Sequence, residues 1–364
     1  MPLQVGIVGL GLVGKTTLFN ALTAAHAEAT AYAKASTKPN IGVARIPEPR
    51  LHTINQYIKT EEIVPATIQV VDVAGLARGA STGHGGGNKF LGHLRDMDAI
   101  VHVVRAFESD QVAHPEGKLD PARDIDTVET ELILADLESA SGQIDRAERV
   151  ARTGEKEAIH RLDVLKKVYA KLNDSRPIRE LDLTPEQQRL VRQLGFITAK
   201  KTLFVANVGE GDLAGQSPLA QKVAGRAAAE GAPAIAICGK LEAEIAELPP
   251  GEQGEMLAGM GLKEPALAVL ARAACTLLGL HYFFTAGPRQ IRAWPIPIGA
   301  TAPQAAGSIH SDFERGFIRA EIYTLDDLVQ YRTEAAIKHA GKLRVEGKNY
   351  VMREGDITHF LFNV

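Results

Sequence analysis

Gly9–Thr16 reads GLGLVGKT and satisfies G-x-x-x-x-G-K-[ST] in full. The apolar run Val5–Leu10 leads into it as a buried strand, and Thr16–Ala25 leaves it as a helix. In that setting the glycines let the backbone wrap so that several N–H groups face one phosphate chain. The helix N-terminus adds its partial positive charge. Lys15 is placed to reach β- and γ-phosphates, and the Thr16 hydroxyl to hold Mg²⁺. Gly9, Gly11, Leu12, Val13, Gly14, Lys15, Thr16 and Thr17 are the expected phosphate-side contacts, and Lys15 also counts as catalytic.

Working outward, Ile68–Val73 reads as a second strand and ends in Asp72-Val73-Ala74-Gly75. An Asp there holds Mg²⁺ through water, and the Gly75 N–H is offered to the γ-phosphate. Gly79, Gly83, Gly85, Gly86 and Gly87 follow closely. Such glycine density is expected of a loop that senses the γ-phosphate. The next residue after Gly75 is Leu76, where Ras-like GTPases carry the Gln that orients the attacking water. Leucine has no polar atom for that task, so hydrolysis is slow or another residue serves. His84 and His114 are the neighbouring candidates.

Ala99–Val104, Thr202–Ala206 and Ala234–Cys238 supply three further strands, each followed by helical sequence. Strands alternating with helices imply a parallel sheet covered on both faces. Asn207-Val208-Gly209-Glu210 follows the fourth strand, where GTPases carry N-K-x-D. The Asp of that motif accepts from guanine N1–H and the 2-amino group. Here a longer Glu210 replaces the Asp and Val208 replaces the stacking Lys. Asn207 matches adenine N6 and N7 in donor–acceptor terms. The motif therefore reads as ATP over GTP. Asn207, Val208, Glu210 and Cys238 complete the expected nucleotide contacts.

Between the third and fourth strands the sequence is helical from Asp124. Leu137, Ala140, Ile144, Ala147 and Ala151 alternate by threes and fours, Thr153-Gly154 interrupts, and Leu162, Leu165, Tyr169 and Leu172 resume. Two such seams around a turn predict an antiparallel helical hairpin inserted in the sheet domain. After Leu280, Pro288, Pro295, Pro297 and Pro303 punctuate a stretch of little helical periodicity. Short strands are expected at Tyr350–Met352 and Ile357–Phe362, making a small β-rich C-terminal domain.

Length and composition agree with this division. A chain of 364 residues exceeds one ordinary domain. The net charge of −3 argues against a surface coated for nucleic acid, though not against a local basic patch. Cys238 and Cys275 are the only cysteines, too few for a disulfide framework or a metal cluster. No signal peptide and no membrane-length apolar run is legible, so a cytoplasmic protein is expected.

These motifs together resemble the Obg-like ATPases, the YchF family of bacteria, over nearly the whole chain. The most specific stretches are Asp72–Leu91 (DVAGLARGASTGHGGGNKFL), Asn207–Glu210, Lys240–Leu248 (KLEAEIAEL) and Thr285–Glu321, with RAW, GATAPQAAG and HSDFERGFIRAE, besides the terminal FLFNV. The resemblance implies a P-loop, G-domain-like α/β fold over residues 1–123 and 196–280. It implies a coiled-coil hairpin over 124–195 and a β-grasp TGS domain over 281–364. It implies ATP hydrolysis in preference to GTP with Mg²⁺ as cofactor, a hydrophobic residue (here Leu76) at the catalytic Gln position, and a ribosomal partner. His114, in the F-E-x-D…H segment, is then the expected water-positioning residue. His84 stands where the family usually has Glu.

The departures are local. Gly11, Leu12 and Thr16 replace the family's Pro, Asn and Ser. Thr16 keeps the hydroxyl for Mg²⁺, whereas Leu12 removes an amide that coordinates potassium in related GTPases, so no potassium stimulation is expected. The first switch reads AKASTKPN over Ala33–Asn40 against the family's PFCTIEPN. Ser36 aligns with the family's Thr and is the candidate metal ligand, with Thr37 beside it. Ala35 stands where some members have Cys.

In the hairpin, Arg146, Arg149, Arg152, Lys156, Arg161, Lys166, Lys167 and Lys171 outnumber Glu148, Glu155, Glu157 and Asp163. Such an excess suits RNA phosphates, or simply a solvated helix face. Arg315, Arg319 and Lys348 are candidates to join that surface. Two other functions stay open from sequence: a translation-associated GTPase, and a nucleotide-gated binding module with negligible turnover.

Overall fold

The computed structural model describes residues 3–23, 40–73, 76, 79 and 87–363. Ser36, Thr37, Gly75 and His84, all singled out above, lie outside the described residues. In chain order, β1 (Leu3–Val8) enters the phosphate loop and α1 (Lys15–Thr23) leaves it. β2 (Asn40–Arg45), α2 (Pro49–Tyr57), β3 (Glu62–Val64), β4 (Thr67–Asp72), α3 (Gly87–Arg95) and β5 (Ala99–Ala106) follow. Then come α4 (Pro121–Ala151), α5 (Lys156–Asn173), α6 (Pro185–Gln193), β6 (Lys201–Val208), α7 (Pro218–Ala229), β7 (Ala234–Ile237), α8 (Gly239–Glu247), α9 (Pro250–Gly259) and α10 (Ala266–Leu277). The rest is β8 (Leu280–Ala286), β9 (Gln290–Pro297), α11 (Ala302–Ile309), α12 (Ser311–Arg315), β10 (Phe317–Tyr323), α13 (Leu325–Tyr331), α14 (Glu334–His339), β11 (Arg344–Glu346) and β12 (Ile357–Phe362). The chain divides into two units: residues 4–44 with 69–270, and residues 45–68 with 271 onward.

The first unit is built on a six-stranded sheet of order β2-β4-β1-β5-β6-β7. β1, β5, β6 and β7 pair in parallel. Every residue of β5 is buried, and so is every residue of β6 after Lys201. Covering both faces of a parallel sheet requires such continuous apolar runs, which is why these strands are plain in the sequence. β2 was not anticipated. It is an edge strand whose Ile41 and Val43 are 59% and 58% exposed, and of its apolar residues only Ala44 is buried, so it lacks the continuous apolar run of the inner strands.

The inserted hairpin has the expected seam. Ala140, Ala147, Leu165 and Leu172 are buried in its core with Val164 and Val168, and Leu137, Ile144, Leu162 and Tyr169 flank them. α4 begins at Pro121, ahead of the expected Asp124, because proline is suited to the first helical position. With 31 residues it is about 46 Å long at 1.5 Å per residue. Buried Asp136 fixes the return to the sheet: it accepts from the Ile197 and Thr198 N–H groups (3.0 and 2.7 Å) and from the Thr198 hydroxyl (2.8 Å).

The second unit holds a mixed sheet of order β11-β10-β12-β8-β9-β3. β8/β9, β10/β12 and β10/β11 are antiparallel, while β12/β8 and β3/β9 are parallel. Residues 45–68, read from sequence as nucleotide-binding domain, belong here. β3 pairs with β9, and Arg50 of α2 stacks over Phe284 and bonds to Glu354. Residues 271–280, also assigned to the nucleotide-binding domain, run with this unit as well. Tyr350–Met352 is not a strand. Only Val351 bridges, to Thr301, and its neighbours serve the start of α11. There Ala302 N donates to Tyr350 O, and Met352 N to Ala300 O. Pro303, read as a breaker, lies in the first turn of α11.

Candidate functional site

The phosphate loop needs its glycines where they stand. Gly9 has φ +153° and Gly14 φ +94°. A Cβ on Gly9 would collide with the Val103 carbonyl, and one on Gly14 with the Asn207 amide. Leu12 also holds φ +62°, the left-handed region that a branched side chain occupies only at a cost. Lys15 is buried, and its Nζ donates to the carbonyls of Leu10 (2.6 Å) and Gly9 (3.2 Å). Burial pulls its pKa down to about 8, against the opposing pull of Asp72.

The end of β4 meets the start of α1. Thr16 Oγ1 donates to Asp72 Oδ2 at 2.8 Å, and Asn40 Nδ2 donates to the same oxygen at 3.3 Å. The other carboxylate oxygen, Oδ1, is buried with no partner among the described residues. Burial raises the Asp72 pKa, offset in part by the Thr16 bond and by Lys15 and Asn40. An orphaned carboxylate oxygen beside a hydroxyl is a hard-oxygen donor set of the kind a divalent cation takes. Thr16 and Asp72 therefore fit Mg²⁺ as the sequence suggested.

Beside the loop lies a cavity of about 510 Å³. Leu12, Gly14 and Thr17 line it on the phosphate side, and Asn207, Val208, Glu210, Cys238 and Lys240 on the other. Its third wall is the segment after β5, gathered by one buried guanidinium. Arg105 donates to the carbonyls of Phe107 (3.1 Å), Val112 (3.0 Å) and Ala113 (3.3 Å) and stacks on the Phe107 ring. The cavity is of nucleoside size and abuts the phosphate loop, so the nucleotide-side residues named from sequence are brought together.

Asn207 needs a revised role. Its Nδ2 donates to Val13 O (2.8 Å) and its Oδ1 accepts from Gly239 N (2.9 Å). Those backbone partners fix the amide's orientation. Each group keeps half its capacity, one lone pair on Oδ1 and one hydrogen on Nδ2, so the expected two-point reading of adenine N6 and N7 is open only along the directions those backbone bonds leave. Glu210, on the same cavity wall, pairs with Lys240 at 2.7 Å.

Leu76 is 1% exposed, and its N–H donates to Gly9 O at 3.0 Å. It closes the end of β4 onto the phosphate loop and offers nothing polar to water. His114 is not presented as a free base. Its side chain is 4% exposed, Nε2 lies 2.8 Å from Asp124 Oδ2, and Nδ1 accepts from Glu116 N at 3.2 Å. The neighbouring Pro115 lies beside Gly11, so this histidine sits close to the loop but with both nitrogens occupied. Sequence reading missed Asn40, Asp124, Glu131 and Lys240. Asn40 and Lys240 fall in quoted motifs without an assigned role. Asp124 and Glu131 lie inside a helix, where a carboxylate reads as solvent-facing.

On the hairpin, Arg146, Arg149, Arg152, Lys156, Arg161, Lys166 and Lys167 are exposed, which both a docking face and a solvated helix face require. Lys166 pairs with Glu148 and Lys171 with Glu180. In the second unit Arg315 and Arg319 are paired locally with Asp312 and Glu321, which weakens their claim to join a basic surface. Among the described residues no helix is long and apolar enough to cross a membrane.

Comparison with known proteins agrees with this geometry. Residues 4–137 match the family model described as 50S ribosome-binding GTPase, and residues 280–363 match YchF-GTPase_C, described as a protein of unknown function. The chain is 47% identical to the ribosome-binding ATPase YchF of Pasteurella multocida and 46% identical to that of Escherichia coli O157:H7. It is 45% identical to that of Bacillus subtilis, and in all three cases the whole of both chains is covered. The solved structure of the Schizosaccharomyces pombe YchF GTPase superposes with a TM-score of 0.84 at 33% identity, covering 99% of this chain and 97% of that one.

Proposed function

The chain belongs to the YchF family of P-loop nucleotide hydrolases, and from that membership we propose that it is a slow, Mg²⁺-dependent ATPase that docks on ribosomes in the cytoplasm. The observation that carries the hydrolase reading is the Thr16–Asp72 pair with its orphaned Oδ1 next to buried Lys15. Thr16 and Asp72 would hold the metal, joined by Ser36 from the first switch. Mg²⁺ supplies charge neutralisation on the β- and γ-phosphates when bound. Lys15 leaves the loop carbonyls for the phosphates, and the loop N–H groups hold them. Water attacks the γ-phosphorus, the bond to the β-phosphate oxygen breaks, and ADP and phosphate leave.

The Lys240–Glu210 pair favours ATP over GTP. A guanine reader presents a carboxylate alone to N1–H and the 2-amino group, whereas here an ammonium sits on one oxygen of Glu210. That ammonium is itself a donor suited to adenine N1. Slow turnover follows from buried, apolar Leu76 and from a His114 whose nitrogens are both bonded. Gly75, at the end of the Asp72 motif, serves the γ-phosphate. We assign the second unit to the TGS class.

Competitive binding of ATP and GTP analogues, followed by single-turnover hydrolysis with Mg²⁺, tests the reading. Tighter binding of GTP, or no hydrolysis, overturns it. For the ribosome, the exposed basic arm of the hairpin predicts binding that weakens as salt rises. Cosedimentation that ignores salt counts against a phosphate contact there.

A further inference from the structure

Helix α4 does more than form one arm of the hairpin. Asp124 and Glu131 stand seven residues apart on it, two turns of one face. Asp124 is 3% exposed at its side chain and carries His114 Nε2 at 2.8 Å. Glu131 is 4% exposed, and its Oε1 accepts the main-chain N–H of Gly79 at 2.7 Å. His114 is the candidate water-positioning residue, and Gly79 lies seven residues beyond Asp72. One helix face thus carries two buried carboxylates, one holding the His114 imidazole and the other the Gly79 N–H.

We propose that Asp124 and Glu131 are positioning residues that latch His114 and the Gly79 amide in a resting arrangement, so that the hairpin helix sets the basal rate. This rests on the reading of a slow ATPase that uses His114. An imidazole that donates from Nε2 to a carboxylate and accepts at Nδ1 from a backbone N–H has no lone pair left for water. Freeing it requires breaking one of those bonds, and the carboxylate bond is the stronger because the acceptor is charged. Gly79 N–H is held by the same kind of charged acceptor. Since α4 runs on to Ala151 as the first hairpin arm, a partner that shifts this arm acts on both carboxylates together.

The test uses the full-length chain with Asp124→Asn and Glu131→Gln, which keep shape and an acceptor oxygen but remove the charge. Both variants are expected to speed single-turnover hydrolysis of Mg·ATP by about fivefold, the equivalent of ~1 kcal/mol, with ATP affinity unchanged. The gain from Asp124→Asn disappears when His114→Ala is added. Amide hydrogen exchange gives a second readout independent of turnover: faster exchange at Glu116 in Asp124→Asn and at Gly79 in Glu131→Gln, with the rest of the protection pattern intact. Slower or unchanged hydrolysis in both variants overturns the latch, and so does unchanged exchange at both amides. A wild-type chain that never hydrolyses ATP sinks the ATPase reading instead, while the exchange result still decides the latch.

Discussion

The side-chain amide of Asn207 donates to the Val13 carbonyl at 2.8 Å, so the last strand turn before the base cavity braces the phosphate loop. The same side chain accepts from Gly239 N at the start of α8. Asn207→Ala leaves a buried carbonyl and a buried N–H unpaired, at roughly 1–3 kcal/mol for each. Urea unfolding should show that loss, and affinity for ATP and GTP analogues should fall together. A loss confined to ATP would restore Asn207 as an adenine reader.

Asp72 separates metal binding from stability. Burial raises its pKa, so the charged form is disfavoured in the fold, and metal-free stability falls as pH rises through that raised value. Asp72→Asn removes the charge and should raise the melting temperature of the metal-free chain at neutral pH. The same change should weaken Mg²⁺ in the ATP complex on the order of tenfold or more. A Mg²⁺ titration of ATP binding that matches wild type would remove Asp72 from the metal site.

Lys15 ties nucleotide affinity to pH. Its pKa is lowered to about 8 by burial, whereas a phosphate chain stabilises only the protonated form. Below that pH the ammonium is already present and this group adds no pH dependence. Above it, binding must take up a proton, so affinity should fall by about tenfold per pH unit. Calorimetry in buffers of different ionisation enthalpy should detect proton uptake at pH 9 and little at pH 7. Equal affinity at both would mean that the lysine stays charged on the Gly9 and Leu10 carbonyls.

The legible parts of this fold are those in which one side chain signals one role. The phosphate loop, the fully buried strands and the hairpin seam each carry a pattern that packing demands, and each appears where the sequence puts it. What stays hidden depends on partners distant in sequence. Residues 45–68 join the second unit because Glu62–Val64 pairs with Gln290–Arg292, a register that no local pattern encodes. Asn207 and Glu131 look like a base reader and a surface carboxylate. Their actual hydrogen bonds go to backbone groups 194 and 52 residues away. His114 shows the same limit, because its type is legible in the sequence but its burial against Asp124 is not.

Leu12 joins backbone strain to ion selectivity. It holds φ +62°, which costs a non-glycine residue about 1 kcal/mol, and it carries no oxygen for a monovalent cation. Leu12→Gly should therefore stabilise the chain by roughly 0.4–1 kcal/mol or more without altering any response to potassium. Leu12→Asn relieves part of the same strain, since asparagine tolerates this region better, and adds an amide oxygen beside the phosphate site. The wild-type chain should hydrolyse ATP at the same rate in K⁺ and Na⁺, and Leu12→Asn should turn over faster in K⁺. The glycine variant separates the two effects: if it too becomes potassium-dependent, backbone relief and not the amide ligand is responsible. A wild-type rate several-fold higher in K⁺ would show that the loop recruits the ion without a side chain at this position.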